Sequence, residues 1–222
     1  MGSGTVRQAV AQGSNAWARV FALVYDPLLW VGERAGLAAL RQDVVGRARG
    51  RTVELGSGTG LNLRYYPGDL DELILTEPGA AMRGRLARRL RHGRRRARVL
   101  DASAERLPFT DATVDTVVST LVLCTVDAPE QALREVGRVL RPGGRLLFLE
   151  HVRSRSPRLA SWQDRLAGPW RRCAEGCHCN RATGELIRAC GLELEHAVEA
   201  SWHAMPPIVR PLIAGVATKR ES

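Results

Sequence analysis

Glu54-Leu55-Gly56-Ser57-Gly58-Thr59-Gly60 sets three glycines at every second position, directly after the short apolar run Thr52-Val53. Glycine has no Cβ and tolerates positive φ, so such a turn lets the backbone approach a ligand closely. A dinucleotide fingerprint reads G-x-G-x-x-G, with the third glycine delayed so that a helix N-terminus faces a pyrophosphate. Here the spacing is G-x-G-x-G with a carboxylate, Glu54, two residues ahead. That suits a nucleoside ligand whose other end is zwitterionic, because a carboxylate can help to hold an ammonium group. A purely structural strand-to-helix turn is the alternative reading of the glycines alone.

Glu77 follows Gly56 by 21 residues, about the spacing at which an acidic residue meets a ribose diol; equally, it could cap the helix expected from Pro78. S-adenosylmethionine, with a ribose diol, an amino-acid end and no phosphate, fits both features. Ser103-Ala104-Glu105-Arg106-Leu107-Pro108-Phe109 offers polar groups to an adenine edge and apolar packing beside it, or else a plain turn. Pro78 and Met82, at the start of the helix after Glu77, and Thr120-Leu121, at the end of a later strand, complete the candidate cofactor set.

On the acceptor side, His151 is the expected general base or thiolate-stabilising group, since histidine exchanges protons near neutrality; a histidine bonded to a backbone carbonyl is the plainer reading. Tyr25, Cys124, Trp162 and Trp170 are the candidate substrate residues. Cys173, Cys177, His178 and Cys179 form C-x3-C-H-C, but no second ligand pair stands at zinc-finger spacing, so no metal is expected.

These residues need a scaffold. Strand-like runs at Arg51-Leu55, Leu73-Thr76, Arg98-Leu100, Thr113-Ser119 and Arg145-Glu150 alternate with helical segments, as in a parallel sheet covered on both faces. Pro129 to Leu140 reads as a helix with Ala132, Leu133, Val136 and Val139 inward, ended by Arg141-Pro142-Gly143-Gly144. A helical insertion spans residues 153–180, followed by a helix near Arg181-Ala189 and strands near Leu192-Val198 and Leu212-Thr218. The expected fold is α/β, a Rossmann-like doubly wound, mostly parallel seven-stranded sheet with helices on both faces. Residues 1–50 form an N-terminal helical region or lid, and residues 51–222 the main domain. Trp17, Phe21 and Tyr25 fall at i, i+4 and i+8, giving one aromatic helix face that either packs on the sheet or closes over an apolar substrate.

The 222 residues, 45% hydrophobic, allow one substantial core. No apolar run is long enough to cross a bilayer and no signal segment is present, so a cytoplasmic location is expected. Five cysteines, an odd number without a secretion signal, argue for reduced thiols. The formal charge of +10 is nearly all due to nine arginines between Arg83 and Arg98. Met82, Leu86 and Leu90 recur at i, i+4 and i+8 there, so the arginines read chiefly as a solvated helix face. Nucleic-acid binding through that run is a lesser reading.

The fragments ELGSGTG, TEPG, ASAERLPF, VVSTLVL and LREVGRVLRPGG, in this order over about residues 50 to 150, resemble the class I S-adenosylmethionine-dependent methyltransferases with a type 11 domain. FLEHV at 148–152, the Trp162 to Trp170 segment and GCHCNRAT are similar to the alkyl thiol S-methyltransferases. The resemblance implies that Gly56, Gly58 and Gly60 surround the methionine end of the cofactor, Glu77 binds ribose, Ala104 and Glu105 border adenine, and Thr120 lies near the methyl donor. Many relatives carry aspartate where Ser103 stands and cysteine or another small residue where Ser57 stands. Eukaryotic members are membrane-associated through a hydrophobic N-terminal anchor that this chain lacks; peripheral membrane contact stays open, as does the oligomeric state. The implied activity is methyl transfer to a small-molecule thiol, with a lipid amine, phenol or quinone as alternative acceptors, and a nucleic-acid enzyme or a non-catalytic cofactor-binding protein as more distant ones.

Overall fold

The structure, a computed structural model, describes residues 15–221. Seven strands form one sheet: β1 (Arg51–Leu55), β2 (Glu72–Thr76), β3 (Arg98–Leu100), β4 (Val114–Thr120), β5 (Leu140–His151), β6 (Leu192–Ser201) and β7 (Pro211–Lys219), in the order β3-β2-β1-β4-β5-β7-β6. All neighbours are parallel except β7, which runs antiparallel to both β5 and β6. The order reverses between β1 and β4, so a ligand site is expected beyond their carboxyl ends.

The central strands are buried on both faces, which is why β4 reads as a near-continuous Val/Thr run without polar alternation. Residues alternate between the two layers with the strand period of two. Val53, Leu55, Val117, Leu146 and Phe148 meet α4 (Pro129–Val139) and α6 (Thr183–Ala189) on one side. Leu73, Leu75, Val118, Leu147 and Leu149 meet α2 (Ala38–Val45) and α3 (Ala80–His92) on the other. Pro129 opens α4 at a position where a missing N–H costs nothing, and its inward residues Ala132, Leu133, Val136 and Val139 are wholly buried.

Helix α1 (Asn15–Gly32) is followed by a π-helical segment, Glu33–Leu37, in which Gly36 has φ +118° and the axis kinks into α2. α2 belongs to the main helix layer, since Val44 and Val45 are buried in the sheet's second core, and α1 joins the same core through Leu29 and Tyr25. Phe21 and Tyr25 lie with ring centroids 5.5 Å apart, whereas the side chain of Trp17 lies outside the described residues. The insertion is α5 (Pro157–Cys173), which packs on a short helix at Pro207–Val209.

Candidate active site

The glycine loop leaves β1 with Gly56, Gly58 and Gly60 at φ of +48°, +56° and +85°. A Cβ on Gly56 would sit 2.9 Å from Val122 Cγ2, and one on Gly60 would sit 2.6 Å from Leu86 Cδ1, so both conformation and space require glycine. Leu86 comes from the apolar stripe of α3, which thus props the loop from beneath. Tyr25, Arg41, Glu54, Ser57, Asn62 and Thr120 line a cavity above it.

Glu77, at the carboxyl end of β2, does two things at once. Its Oε2 accepts the Gly58 N–H at 2.8 Å and its Oε1 accepts the Gly79 N–H at 2.7 Å. It therefore caps the turn into α3 and also reaches the glycine loop. Each oxygen keeps a further lone pair. Burial pushes its carboxyl above the usual range, against the pull of those two amides. Pro78 is exposed, Met82 half-buried on the first turn of α3. Ser103 Oγ accepts the Glu105 N–H at 3.2 Å in a local turn, with Ala104 buried behind it.

Asn62 Nδ2 donates to Glu54 Oε1 and Tyr66 Oη to its Oε2, each at 2.8 Å, so the carboxylate is fixed at the cavity by two donors while each oxygen keeps a further lone pair. Burial pushes its carboxyl up to about 7, with the Tyr66 and Asn62 hydrogen bonds opposing. Thr120 Oγ1 accepts from Asn62 Nδ2 at 2.8 Å and from Arg41 Nη1 at 3.1 Å. Leu121 follows with φ +60°, uncommon for a bulky residue, and its N–H donates to Leu149 O at 2.8 Å.

Arg41 is the residue that motif reading missed. It lies on α2, only 3% exposed, with its Nε on Glu33 Oε1 at 2.8 Å and its Nη1 on Asn62 Oδ1 at 2.9 Å. A signal existed: Leu37, Arg41, Val44 and Val45 fall on one helical face, so an arginine stands in an apolar stripe.

The residues expected on the acceptor side stand beyond β4 and β5. Buried Glu150 accepts from Ser119 Oγ at 2.7 Å, Val122 N at 3.1 Å and Cys124 N at 3.2 Å, and so pins the turn after β4. The loop after α5 closes on that turn: His178 N–H donates to Cys124 O, and Arg181 Nη1 to Leu123 O, both at 2.6 Å. Cys124 Sγ and Cys177 Sγ, both buried, lie 3.9 Å apart. Their hydrogen bond and burial push the Cys124 thiol well up, while that bond draws Cys177 down against its own burial.

The sequence family described as "Methyltransferase domain" matches residues 53–148. Thiol S-methyltransferase TMT1A of Homo sapiens is 31% identical over 207 residues, covering 90% of this chain and 83% of that protein. Thiol S-methyltransferase TMT1B of Rattus norvegicus is 34% identical over 175 residues, 75% of this chain and 70% of the relative. The chain belongs to the thiol S-methyltransferase family. It is an S-adenosylmethionine-dependent methyltransferase with the class I fold. The C-methyltransferase UbiE of Enterobacter sp. (strain 638) is 37% identical over 121 residues, but this spans only 49% of the chain and 45% of UbiE. Among solved structures, the [4+2]-cyclase SpnF superposes with a TM-score of 0.70 at 19% identity, over 94% of this chain and 97% of that one. Geranyl diphosphate methyltransferase in complex with SAM gives 0.64 at 17% identity, over 83% and 85%. That one fold carries both a cyclase and a methyltransferase shows that the acceptor chemistry must be argued from the site.

For this thiol S-methyltransferase family member the residues present suit the cofactor. The glycine bend has no Cβ to obstruct a ligand, the Glu77 carboxylate stands at the end of β2, and Ser57 Oγ is buried without a partner at the cavity.

Two of the residues expected on the acceptor side stand in contrasting surroundings. His151 is 5% exposed, its ring stacked on Trp202 with centroids 5.9 Å apart and planes at 20°. Burial pushes its imidazole down to about 4, against nearby backbone carbonyls of Val209 and Pro211. A value that low favours the neutral imidazole at pH 7. Trp162 lies on the outer face of α5, 54% exposed, with Arg165 over its ring; only Trp170 of the two α5 tryptophans turns inward. The C-x3-C-H-C run is also divided, with Cys173 exposed and Cys177 and Cys179 buried. Among the described residues no cluster of three or more ligating side chains could hold a metal.

Proposed function

We propose that this enzyme methylates the sulfur of a small-molecule thiol. The observation that carries the reading is the extent of the similarity. A match over 90% of the chain to a thiol S-methyltransferase has to take in the Cys124 turn, His151 and Trp170, whereas the UbiE match spans only about half of the chain.

S-adenosylmethionine, bound by the glycine loop and Glu77, supplies an electrophilic methyl group on a sulfonium. The protein's part is to hold, orient and exclude water. Gly56, Gly58 and Gly60 give backbone access to the methionine end, Glu77 offers both carboxylate oxygens to the ribose diol, and Ala104 and Glu105 border the adenine. Tyr25 from α1 and Thr120 from β4 enclose the reacting end. A thiolate loses its charge on the way to a neutral thioether, so a site that replaces water around it favours the reaction.

His151 stays neutral, and the reading leaves the acceptor to ionise by itself. An unperturbed thiol has a pKa of about 8.5, which leaves a few per cent as thiolate at neutral pH. Turnover with alkanethiols should therefore rise with pH up to the acceptor's own pKa, and acidic thiols should react best at pH 7. Incubation with labelled cofactor and a panel of alkanethiols, dithiols, phenols and phospholipid amines tests the proposal; transfer confined to the non-thiols overturns it.

Among the described residues no helix is long and apolar enough to cross a membrane. The exposed Leu23, Leu28, Trp30 and Val31 of α1 support peripheral membrane contact, which vesicle co-sedimentation of the full chain checks; a protein that stays in the supernatant would count against it.

A further inference from the structure

We propose that Arg41 and Ser57 form a carboxylate-binding subsite that selects the amino-acid end of the cofactor. The inference rests on the cofactor assignment above and deepens it. Arg41 engages Glu33, Asn62 and Thr120 through Nε and Nη1, and among the described residues Nη2 has no hydrogen-bond partner. Ser57 Oγ, in the same cavity, is buried and has none. Thr120 Oγ1 already accepts from both Asn62 and Arg41, and each Glu54 oxygen accepts one bond, from Asn62 and Tyr66. Arg41 Nη2 and Ser57 Oγ are thus donors left without an acceptor.

A ligand group with acceptor oxygens only, a carboxylate, answers both donors at once. Guanidinium presents five N–H groups in a planar fork, so the pairing of Nε with Glu33 Oε1 at 2.8 Å leaves the Nη2 donors available. The second Glu33 oxygen has no hydrogen-bond partner and lies 4.0 Å from Arg64 Nη2. Glu33 thus holds the guanidinium in place from the side opposite Asn62 and Thr120. The glycine bend begins at Gly56, next to Ser57, so the paired donors stand where the amino-acid part of the ligand must lie if Glu77 takes the ribose.

Calorimetric titration of the full chain with S-adenosylmethionine and with its decarboxylated form, which lacks only this group, tests the subsite. The wild type should prefer the carboxylated ligand by about 30-fold, as expected for charge-assisted hydrogen bonds. Arg41→Gln together with Glu33→Gln removes both charges of the buried pair, and should bring the two affinities to within about threefold while sparing the decarboxylated ligand. Ser57→Ala removes a hydroxyl without breaking an existing bond, should narrow the preference by about fivefold, and decides the matter if the double variant does not fold. An unchanged preference in a folded variant overturns the proposal, as does a wild type that binds both ligands equally. A wild type that binds neither overturns the cofactor assignment itself.

Discussion

Asp26 of α1 and Arg89 of α3, 63 positions apart, meet at 2.6 Å, and Asp26 Oδ1 also accepts the Thr59 hydroxyl at 2.5 Å. Arg89 Nη1 completes the triangle on Thr59 O at 2.8 Å. The first helix is thereby fastened across the glycine loop, while its far end runs into the Glu33–Leu37 kink.

If this fastening closes the site, Asp26→Asn should loosen α1 without unfolding the sheet. The pair is partly exposed, so the stability loss should be small, about 1 kcal/mol or less. Proteolytic cleavage near Gly36 and the dissociation rate of S-adenosylhomocysteine should both rise by about three- to tenfold. Unchanged values for both would show that α1 does not gate the site.

Glu54 should make stability depend on pH. Its folded pKa of about 7 lies above the ordinary 4.5, so its contribution is fully present below pH 4.5 and is lost as pH rises through 7. Denaturant unfolding of the wild type and Glu54→Gln at pH 5 and pH 8 isolates this group from others that titrate nearby. The wild type should lose up to about 3 kcal/mol relative to the variant between those values. A constant difference would mean that Glu54 is ionised throughout.

His151 should act with the opposite sign. Its folded pKa of about 4 lies below the ordinary 6.5, so the unfolded chain binds the extra proton between those values. Relative to His151→Gln, the wild type should therefore lose up to about 3 kcal/mol as pH falls from 6.5 to 4. The pH–rate profile of the variant should keep its shape; loss of an ionisation near neutrality would restore histidine as the base.

Glu77→Gln keeps the size of the side chain but can no longer accept with both oxygens. Affinity for S-adenosylhomocysteine should fall by about ten- to hundredfold, with a smaller loss for a cofactor analogue lacking the ribose hydroxyls. Equal losses for the two ligands would reduce Glu77 to its cap on the turn into α3.

Four of the nine arginines between Arg83 and Arg98 show how far a pattern can be read. The stripe Met82, Leu86, Leu90 correctly predicts a helix with one buried face, since periodicity reports which side meets the core. It cannot report that Arg83 reaches Asp101, Arg89 Asp26, Arg95 the Tyr66 and Pro67 carbonyls, and Arg98 Glu72. Those partners are brought together by the sheet and not by helical spacing.

The sequence by itself determined the alternation of strands and helices, the triple-glycine bend and the acid after the second strand. These are local properties: backbone freedom at glycine, the strand period of two and the helical period of 3.6 act over a few residues and survive without tertiary contacts. Only the tertiary structure decided that Arg41 enters the cavity, that Glu54 is held by Asn62 and Tyr66, that Cys124 meets Cys177, and that His151 is sealed against Trp202. Each of these depends on which distant segments share a buried environment. Burial and a neighbour's hydrogen bond, which no spacing along the chain encodes, are what set the surroundings of this carboxylate, this histidine and this arginine.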